Sequence, residues 1–528
     1  MINNMNVKSL VEGVYKGEIV LPDFQRSFVW EPEDVRELLV SVLGDYFIGT
    51  MLILEIYKDD SPFALRLFEG VENVNSNAKI QSIVKIILDG QQRTTALFYA
   101  LYEPDIPLKG RKSAYRFYLD LEKALHGDWN DAVIGVNVRD KKRLKEITSK
   151  NLVIPFGCIK ERSEIFKRFY KYQSQFSEIY DLIDNFLKKP IHMIKLPRDT
   201  DLEKIIETFE RINRTGEPLS VFELLTARLY KHKIKLRDLL DDAKSKYEII
   251  KIIKPEIILK VIALIRGEEP KRRNLLNLNP KNFINDWNSA LSSLNEAYKR
   301  VTDIRDGYGV FDFSKWMPYT TMLVPLAAII HYIKTNKLET PESYKKVTRW
   351  YWISVFLNRY DQAVDTTSYS DYKTVEEWLK DDSKIPEFVK KFNINDVDID
   401  VDKQGAATYR GVMNLIVLSG AFDFKTGQPP QFYKKKVQDD HIFPKSKYNI
   451  NSVINRTLIT TNAAKGNQNP SKYFEDRIND YGKDKLKAIL TTHLIPEDAV
   501  DDLLTDNINA FLEKRKQKIL EKIKDVVV

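Results

Sequence analysis

The chain is short of cysteine, because Cys158 is its one cysteine among 528 residues. A single cysteine excludes an internal disulfide framework and any zinc ribbon built from cysteine pairs. Uninterrupted apolar runs are also short: Thr321–Ile330 is broken by Pro325, whereas a membrane-spanning helix needs roughly 20 apolar residues. The first residues, Met1–Lys8, lack the basic and apolar regions of a signal peptide. These absences predict a cytoplasmic protein with no membrane partner.

Charge of one sign is only weakly in excess. The formal net charge of +8 is modest for a chain of this length and does not by itself predict nucleic-acid binding. Basic residues are concentrated locally at Arg139–Lys145, Lys271–Arg273 and Lys434–Lys436. Solvated basic faces are common, so phosphate contact is favoured only for the last segment, which lies near the motif described next. The length predicts several domains.

The pentapeptide Asp440–Pro444, with the sequence D-H-I-F-P, carries the most specific chemistry in the chain. A carboxylate such as Asp440 supplies oxygen to a hard divalent cation, and a neutral imidazole such as His441 can take a proton from water. Neighbouring side chains on a regular strand point to opposite faces, so a strand is predicted to end at this pair. The apolar run Thr457–Thr460 predicts a second strand, and the segment from Asn462 can open a helix.

This order of strand, loop, strand and helix resembles the ββα-metal finger, also called HNH or His-Me, in the version found in the DUF1524 family. The family elements D-H-I-F-P, I-x-N-x-x-L and N-x-x-K-G correspond to residues 440–444, 453–458 and 462–466. The resemblance implies a Mg²⁺ or Mn²⁺ ion. It also implies the following roles: Asp440 and Asn462 as metal ligands, His441 as general base, Asn455 as the residue that orients the imidazole, and Lys465 as a phosphate contact. For the lysine, an exposed position on a helix is the commoner alternative.

A second constellation lies far upstream. Ile83–Leu88 predicts a strand, Asp89–Arg93 a turn, and Thr94–Leu101 a helix. A glycine turn that enters a helix presents free backbone N–H groups and the positive end of the helix dipole, which favour a bound phosphate. Arg93 would add a guanidinium fork. Taken alone, however, the segment is explained more simply as an ordinary strand-to-helix turn.

The same turn resembles the D-G-Q-Q-R signature of the DUF262 family, a ParB/sulfiredoxin-like domain whose relatives bind nucleotides. Residues 21–30 match its proline, aromatic-Gln-Arg and tryptophan segment, and residues 209–220 match its F-x-x-x-N-x-x-G-x-x-L-S segment. The resemblance implies an NTP pocket, with GTP as the first expected ligand, lined by the following residues: Gln25, Arg26, Asp89, Gly90, Gln91, Gln92, Arg93, Thr94 and Asn213. Without the family pattern, Asn213 would serve a ligand or cap the backbone equally well.

The middle of the chain is predicted to be mainly helical. Within it, Arg349–Leu357 is rich in aromatic residues that could stack on bases, but a buried helix is the better interpretation. The predicted fold is therefore α+β and multidomain. It comprises a ParB/sulfiredoxin-like α/β nucleotide-binding domain at 1–249, a helical region at 250–405 and a ββα-metal HNH nuclease domain at 406–528.

The combination of these domains resembles the GmrSD-type modification-dependent restriction enzymes and the SspE antiphage proteins linked to DNA phosphorothioation. The resemblance implies an HNH endonuclease or nickase that acts on modified or phage DNA and is regulated by NTP binding or hydrolysis; a homo-oligomer is compatible with it. Two alternatives stay open: a nucleotide-dependent DNA-binding switch with a vestigial nuclease site, and an RNA-directed nuclease, since phosphodiester chemistry does not distinguish the sugar.

Overall fold

The computed structural model describes residues 2–150, 152–169, 175–198, 200, 204–205, 207–208, 220–432, 437–460 and 466–528. The chain forms two compact units, Met1–Asp238 and Leu239–Val528. Both contain helices and sheet, so the predicted α+β class is confirmed. The predicted helical region and the predicted nuclease segment both belong to the second unit. No helix in the described part of the chain is long and apolar enough to cross a membrane.

The first unit contains the strands β1 (Ile2–Asn6), β2 (Ile19–Pro22), β3 (Thr50–Tyr57), β4 (Leu65–Arg66), β5 (Ile83–Asp89), β6 (Tyr115–Asp120), β7 (Val133–Asn137), β8 (Val153–Pro155) and β9 (Pro190–Leu196). Six of them form a mixed sheet with the order β1-β9-β3-β5-β2-β4. Two of its neighbouring pairs, β2 with β5 and β3 with β9, are parallel, and the other pairs are antiparallel. A separate antiparallel sheet has the order β7-β6-β8.

Helices pack against this sheet through apolar residues that form one continuous core. The helix Gln91–Tyr102 is central to that core, and its residues Ala96–Leu101 are almost completely buried. The predicted strand and helix at 83–101 are confirmed. The turn predicted at 89–93 is shorter than expected, because β5 ends at Asp89, the helix begins at Gln91, and Gly90 alone separates them. The remaining helices of the unit are Val7–Lys16, Pro32–Leu43, Val71–Val74, Leu121–Leu125, Trp129–Ala132, Lys141–Thr148, Phe156–Ile159, Arg162–Phe169, Phe176–Lys188 and Val221–Tyr230, with a 3-10 turn at Lys58–Asp60; Leu236–Lys246 spans the boundary between the units.

The second unit is mainly helical, as predicted for its first part. Trp350, Tyr351 and Trp352 are at most 1% exposed, and Tyr351 stacks on Tyr308 with ring centroids 3.9 Å apart, so this aromatic helix is buried. The helices are Glu248–Ile252, Glu256–Ile265, Arg272–Leu276, Phe283–Thr302, Phe313–Trp316, Leu323–Thr335, Pro341–Phe356, Val364–Lys380, Glu387–Lys390, Ala407–Leu418, Lys445–Tyr448, Pro470–Tyr481, Lys483–Thr491, Val500–Leu504 and Ile508–Val527, with 3-10 turns at Thr320–Met322, Ile394–Asp396, Val453–Asn455 and Glu497–Ala499.

One antiparallel hairpin of the second unit contains the predicted nuclease motif. Its strands are β10 (Val437–His441) and β11 (Arg456–Thr460), and His441 lies opposite Arg456. The predicted strand end at the Asp-His pair and the predicted second strand are both confirmed. The intervening segment, expected to be a loop, contains the short helix Lys445–Tyr448. The helix predicted from 462 begins outside the described residues; within them, a helix begins at Pro470.

Candidate functional sites

The first candidate site lies where β5 ends and the helix Gln91–Tyr102 begins. Gly90 joins them with a φ of 98°, a conformation that side-chain-bearing residues rarely adopt, and a Cβ atom there would lie 2.7 Å from Cγ of Met51. The first bond of the helix is donated by Thr94 N to Gly90 O, over 2.9 Å. The three N–H groups that precede it are therefore not used by the helix, and they are positioned to bind an anion.

A cavity of about 570 Å³ opens at this helix N-terminus. Seven of the nine predicted nucleotide-binding residues line it: Gln25, Arg26, Asp89, Gly90, Gln91, Gln92 and Arg93. Thr94 is fully buried behind it, with its hydroxyl 3.5 Å from the sulfur of Met51. Asn213 lies outside the described residues. The structure brings the 21–30 segment and the turn together, as the family resemblance implies.

The glutamines of the cavity hold the backbone of its wall. The Gln25 amide donates to the carbonyl oxygens of Ile87 and Leu88, at 3.1 and 2.8 Å, which fixes its orientation. Its Oε1 atom is buried and accepts no hydrogen bond from any described residue, a state that costs free energy unless a ligand donates to it. Gln91 donates to the Arg26 carbonyl over 2.6 Å, and Gln92 accepts from the Val29 N–H over 2.9 Å.

Arg93 does not point its guanidinium at a free phosphate site, as expected from the sequence, but bonds to the backbone of its own unit. Its guanidinium donates to the carbonyl oxygens of Ile48 and Thr50, at 2.6 and 2.9 Å, and lies 3.3 Å from the Asp89 carboxylate. Between those carbonyls, Gly49 has a φ of 84°, and a Cβ atom there would approach the guanidinium to 2.4 Å. Arg93 therefore fixes the segment that enters β3 and forms one wall of the cavity.

Two further arginines stand behind the cavity and were missed by sequence reasoning. Arg66 donates to the Arg26 carbonyl over 3.1 Å, and Arg237 donates to the Gln25 carbonyl over 2.9 Å. Burial lowers the pKa of Arg66. The rim is of mixed chemistry, since it also carries the aromatic side chains of Trp30 and Phe47 and the acidic side chains Asp34, Glu37 and Glu223. No local pattern marks these residues, because they come from distant parts of the chain.

The second candidate site is centred on His441 at the end of β10. Its Nε2 atom lies 3.0 Å from Oδ1 of Asn451, and Nη1 of Arg456 lies 2.7 Å from Nε2 and 2.9 Å from Nδ1. Burial lowers the pKa of His441, and the positive charge of Arg456 lowers it further. The lowered pKa favours the neutral imidazole, which is the form that a general base needs. Neither Asn451 nor Arg456 was among the predicted site residues.

Asn455 does not contact the imidazole. It is fully buried; its Oδ1 accepts from the Phe443 N–H over 2.8 Å, and its Nδ2 donates to the carbonyls of Phe443 and Ile450 at 2.9 and 3.0 Å. These bonds close the loop between the two strands. The structure thus assigns the contact expected of Asn455 to Asn451, four residues upstream. Asn462 and Lys465 lie outside the described residues.

Among the described residues at the end of β10, Asp440 offers a carboxylate oxygen of the kind that a hard divalent cation prefers. The neighbouring Asp439 is occupied, because its carboxylate accepts from Arg456 Nε, Tyr409 Oη and Gln404 Nε2 at 2.7, 2.5 and 2.8 Å. Among the residues that the structure describes, no group of three or more His, Cys, Asp or Glu side chains could hold a metal ion. Further oxygen ligands would therefore include the predicted Asn462.

His493, the other histidine of this region, is structural. It is fully buried, with Nε2 2.7 Å from the Phe422 carbonyl and Nδ1 2.7 Å from the Thr457 hydroxyl. Burial lowers its pKa to about 4. The buried guanidinium of Arg515 donates to the carbonyls of Ile454 and His493, at 2.6 and 3.0 Å. These contacts tie the last helix, Ile508–Val527, to the hairpin.

Comparisons with known proteins bear on both sites. The family model described as the N-terminal domain of the GmrSD restriction endonuclease matches residues 7–230, a range that includes every residue lining the first cavity. A relative from Methanocaldococcus jannaschii, the uncharacterized protein MJ0686, is 33% identical. That similarity covers 99% of this chain and 98% of the archaeal protein, so it extends over the hairpin with His441 as well.

Proposed function

Because this chain belongs to the same family as the archaeal protein and carries a GmrSD-type N-terminal domain, we propose that it is a restriction-type endonuclease whose HNH site hydrolyses DNA at His441. The observation that carries the proposal is the imidazole itself. It follows Asp440 at a strand end, it contacts Asn451, and its lowered pKa favours the neutral form. A DNA substrate follows from the restriction endonuclease family of the N-terminal domain.

In the proposed reaction, His441 takes a proton from water, and the hydroxide oxygen forms a bond to the scissile phosphorus while the bond to the leaving oxygen breaks. The leaving oxygen takes a proton from solvent, and the imidazolium returns its proton to solvent. Asp440, with Asn462, would hold Mg²⁺ or Mn²⁺, which stabilises charge on the phosphate and the leaving oxygen. Arg456 is the cation placed directly at the base. Asn455 contributes by holding the loop that follows β10, so its role is structural.

The N-terminal cavity is proposed to bind an NTP, with GTP as the first candidate, and to regulate cleavage by binding or hydrolysing it. Three features of the cavity support nucleotide binding. The unused N–H groups at the start of Gln91–Tyr102 suit a phosphate. The buried Gln25 Oε1 can accept a hydrogen bond from a nucleobase, and the Phe47 ring, which is 73% exposed, can stack on it. We further propose that the target is modified or phage DNA, including phosphorothioate DNA, and that the product is a nick.

The test is cleavage of matched modified and unmodified supercoiled plasmids by the full chain in Mg²⁺, with and without each NTP. We expect the chain to nick the modified plasmid and not the unmodified one, at a rate that depends on the nucleotide. His441→Ala gives the background rate of cleavage without the proposed base. His126→Ala is the matched control, because His126 is an exposed histidine of the first unit. If both plasmids are cut at the same rate with and without every NTP, then neither regulation by nucleotide nor recognition of modified DNA holds, and only the proposed nuclease activity remains. Faster cutting of a competing RNA would make the chain an RNA-directed nuclease instead.

A further inference from the structure

A cavity of about 310 Å³ in the second unit is not used by the proposed reaction. Its lining combines two cationic side chains with neutral polar and aromatic groups, and it contains no carboxylate. A cavity of that composition suits an anion, because the charges around it have one sign. The lining residues are Ser314, Lys315, Trp316, Gln404, Gly405 and Arg410.

The guanidinium of Arg410 carries a charge that no carboxylate of the described residues balances. Arg410 is half-buried, and its Nη1 and Nε atoms donate to the carbonyl oxygens of Met317 and Gln404, at 2.9 and 3.3 Å. Burial lowers the pKa of Arg410, and no nearby acid raises it. A half-buried cation without a counter-charge is costly in free energy. An anion bound in the cavity would offset that cost.

Lys315 places a second positive charge at the same cavity. It is exposed, and its ammonium lies 4.9 Å from the ring centroid of Trp316, which is itself 1% exposed. Within the part of the chain that the structure describes, Lys315 forms no ion pair. The nearest acid along the chain, Asp312, accepts from the Ser314 hydroxyl over 2.7 Å. Two cations from different elements can therefore meet one anion here.

One loop, residues 401–406, connects this cavity to the hairpin of the proposed nuclease site. Gln404 lines the cavity, and its amide donates to the Asp439 carboxylate of β10 over 2.8 Å. At the start of the loop, the Val401 carbonyl accepts from the Val453 N–H over 2.8 Å, in the segment that joins β10 to β11. These bonds hold the cavity beside the end of β10.

We propose that this cavity binds a backbone phosphate of the DNA strand next to the cleaved bond, with Lys315 and Arg410 as its donors. This inference rests on the proposed nuclease function. A DNA strand carries one phosphate for about every 3.4 Å of rise, so a strand that enters the His441 site brings further phosphates to the neighbouring surface. The guanidinium and the ammonium both match phosphate oxygens. Such a contact positions the strand and carries no base specificity.

The experiment measures the binding of a fluorescein-labelled DNA duplex to the full chain over a range of salt concentrations. The His441→Ala background keeps the strand intact. We expect Lys315→Gln to reduce the slope of log Kd against log salt by about 1, the share of one phosphate contact. Its Kd should rise about threefold to tenfold. Arg410 is left in place, because its guanidinium also holds two backbone carbonyls.

Gly405 offers an independent variant that removes no contact. A Cβ atom there would meet nothing within 4 Å, so a side chain can be added without a clash at that atom. Gly405→Glu brings a negative charge to the cavity, and an acid just before the helix Ala407–Leu418 favours that helix. We expect this variant to raise Kd at least as much as Lys315→Gln does, and Gly405→Ala to leave Kd and the slope unchanged. Lys391→Gln, which removes an exposed lysine paired with Glu387, is the matched control for lost charge.

Cleavage of supercoiled plasmid supplies the second readout, in variants that keep His441. We expect Lys315→Gln and Gly405→Glu to raise KM for DNA while kcat changes less, since the contact is made equally in the ground state and the transition state. Unchanged Kd and slope in both variants would overturn the inference, as would an equal slope change in Lys391→Gln or a Lys315-dependent slope for RNA alone. If DNA binding weakens as expected but the wild type cuts no DNA, the phosphate site stands and the nuclease function fails.

Discussion

At the scale of single residues, the environment of His441 sets the pH at which the proposed base works. Burial and the charge of Arg456 both disfavour the protonated ring, so its pKa lies below the ordinary histidine value of 6.5. A base with a lowered pKa stays neutral further into the acid range. The acid limb of cleavage should therefore fall below pH 6.5. Measuring kcat from pH 5 to 8 at fixed Mg²⁺ checks this; an acid limb at or above 6.5 would contradict the assignment.

His493 predicts a different pH effect, on stability. Its pKa is about 4 when folded, against an ordinary 6.5, so the unfolded chain binds the proton more tightly. The free energy of unfolding must therefore fall as the pH falls from 6.5 towards 4 and be fully present above that window. The contribution is roughly 3 kcal/mol, since the shift from 6.5 to about 4 corresponds to about 1.36 kcal/mol for each pKa unit.

The measurement for His493 is urea unfolding at pH 7 and pH 5, followed by tryptophan fluorescence, which reports mainly on the second unit because five of the seven tryptophans lie there. His493→Gln is expected to be less stable at pH 7 and to lose less stability between the two pH values. An equal loss in wild type and variant would show that other groups control the acid sensitivity.

Asn455 and Asn451 separate structural from positioning roles. Asn455→Ala removes the partners of two backbone groups of Phe443 and one of Ile450, and we expect it to lower the free energy of unfolding by about 1–3 kcal/mol. Asn451→Ala removes the contact of Asn451 Oδ1 with His441 Nε2. We expect it to lower kcat, and to lower the free energy of unfolding by less than Asn455→Ala does. Thermal unfolding and cleavage rates of the two variants show which asparagine stabilises the loop and which positions His441. The reverse pattern would restore Asn455 as the residue that orients the base.

At the scale of elements, Arg93 joins the helix Gln91–Tyr102 to the start of β3. Arg93→Ala removes the donors to Ile48 and Thr50, so we expect the cavity wall to loosen and NTP affinity to fall by roughly tenfold, as for the loss of one charged hydrogen-bonding group. Calorimetric titration of GTP measures it. Arg143→Ala, on an exposed helix, is the control. Unchanged affinity would mean that the wall does not contribute to a nucleotide site.

The elements also show what the sequence could predict. The apolar run before Asp89 and the glycine after it predicted β5 and the next helix, because both signals are local. The strand end at His441 was predicted because neighbouring side chains of a regular strand point to opposite faces and cannot both reach one substrate. Arg456 was missed although it lies opposite His441 in the hairpin, since the register of two strands depends on the loop between them. Arg66 and Arg237 were missed because only the tertiary fold brings them to Gln25.

At the scale of the whole molecule, the chain combines a proposed nucleotide-binding cavity in its first unit with a proposed nuclease site in its second. The described residues of each site belong to a single unit, so each site can be tested by its own variants. Variants of Arg93 should therefore change nucleotide binding, and variants of His441 should change the chemistry. The domain boundaries predicted at 249/250 and 405/406 stay predictions; the compact units themselves divide after Asp238.

The central claim is that the His441 site hydrolyses DNA with a divalent metal. Its most direct test is the rate at which supercoiled plasmid is relaxed by the wild type, His441→Ala and His126→Ala, in Mg²⁺ and in EDTA. We expect the wild type and His126→Ala to cut at equal rates in Mg²⁺, and neither to cut in EDTA. His441→Ala should be slower by about 10² to 10⁴, the usual cost of removing a general base. Wild-type cutting by His441→Ala, or undiminished cutting in EDTA, would contradict the claim.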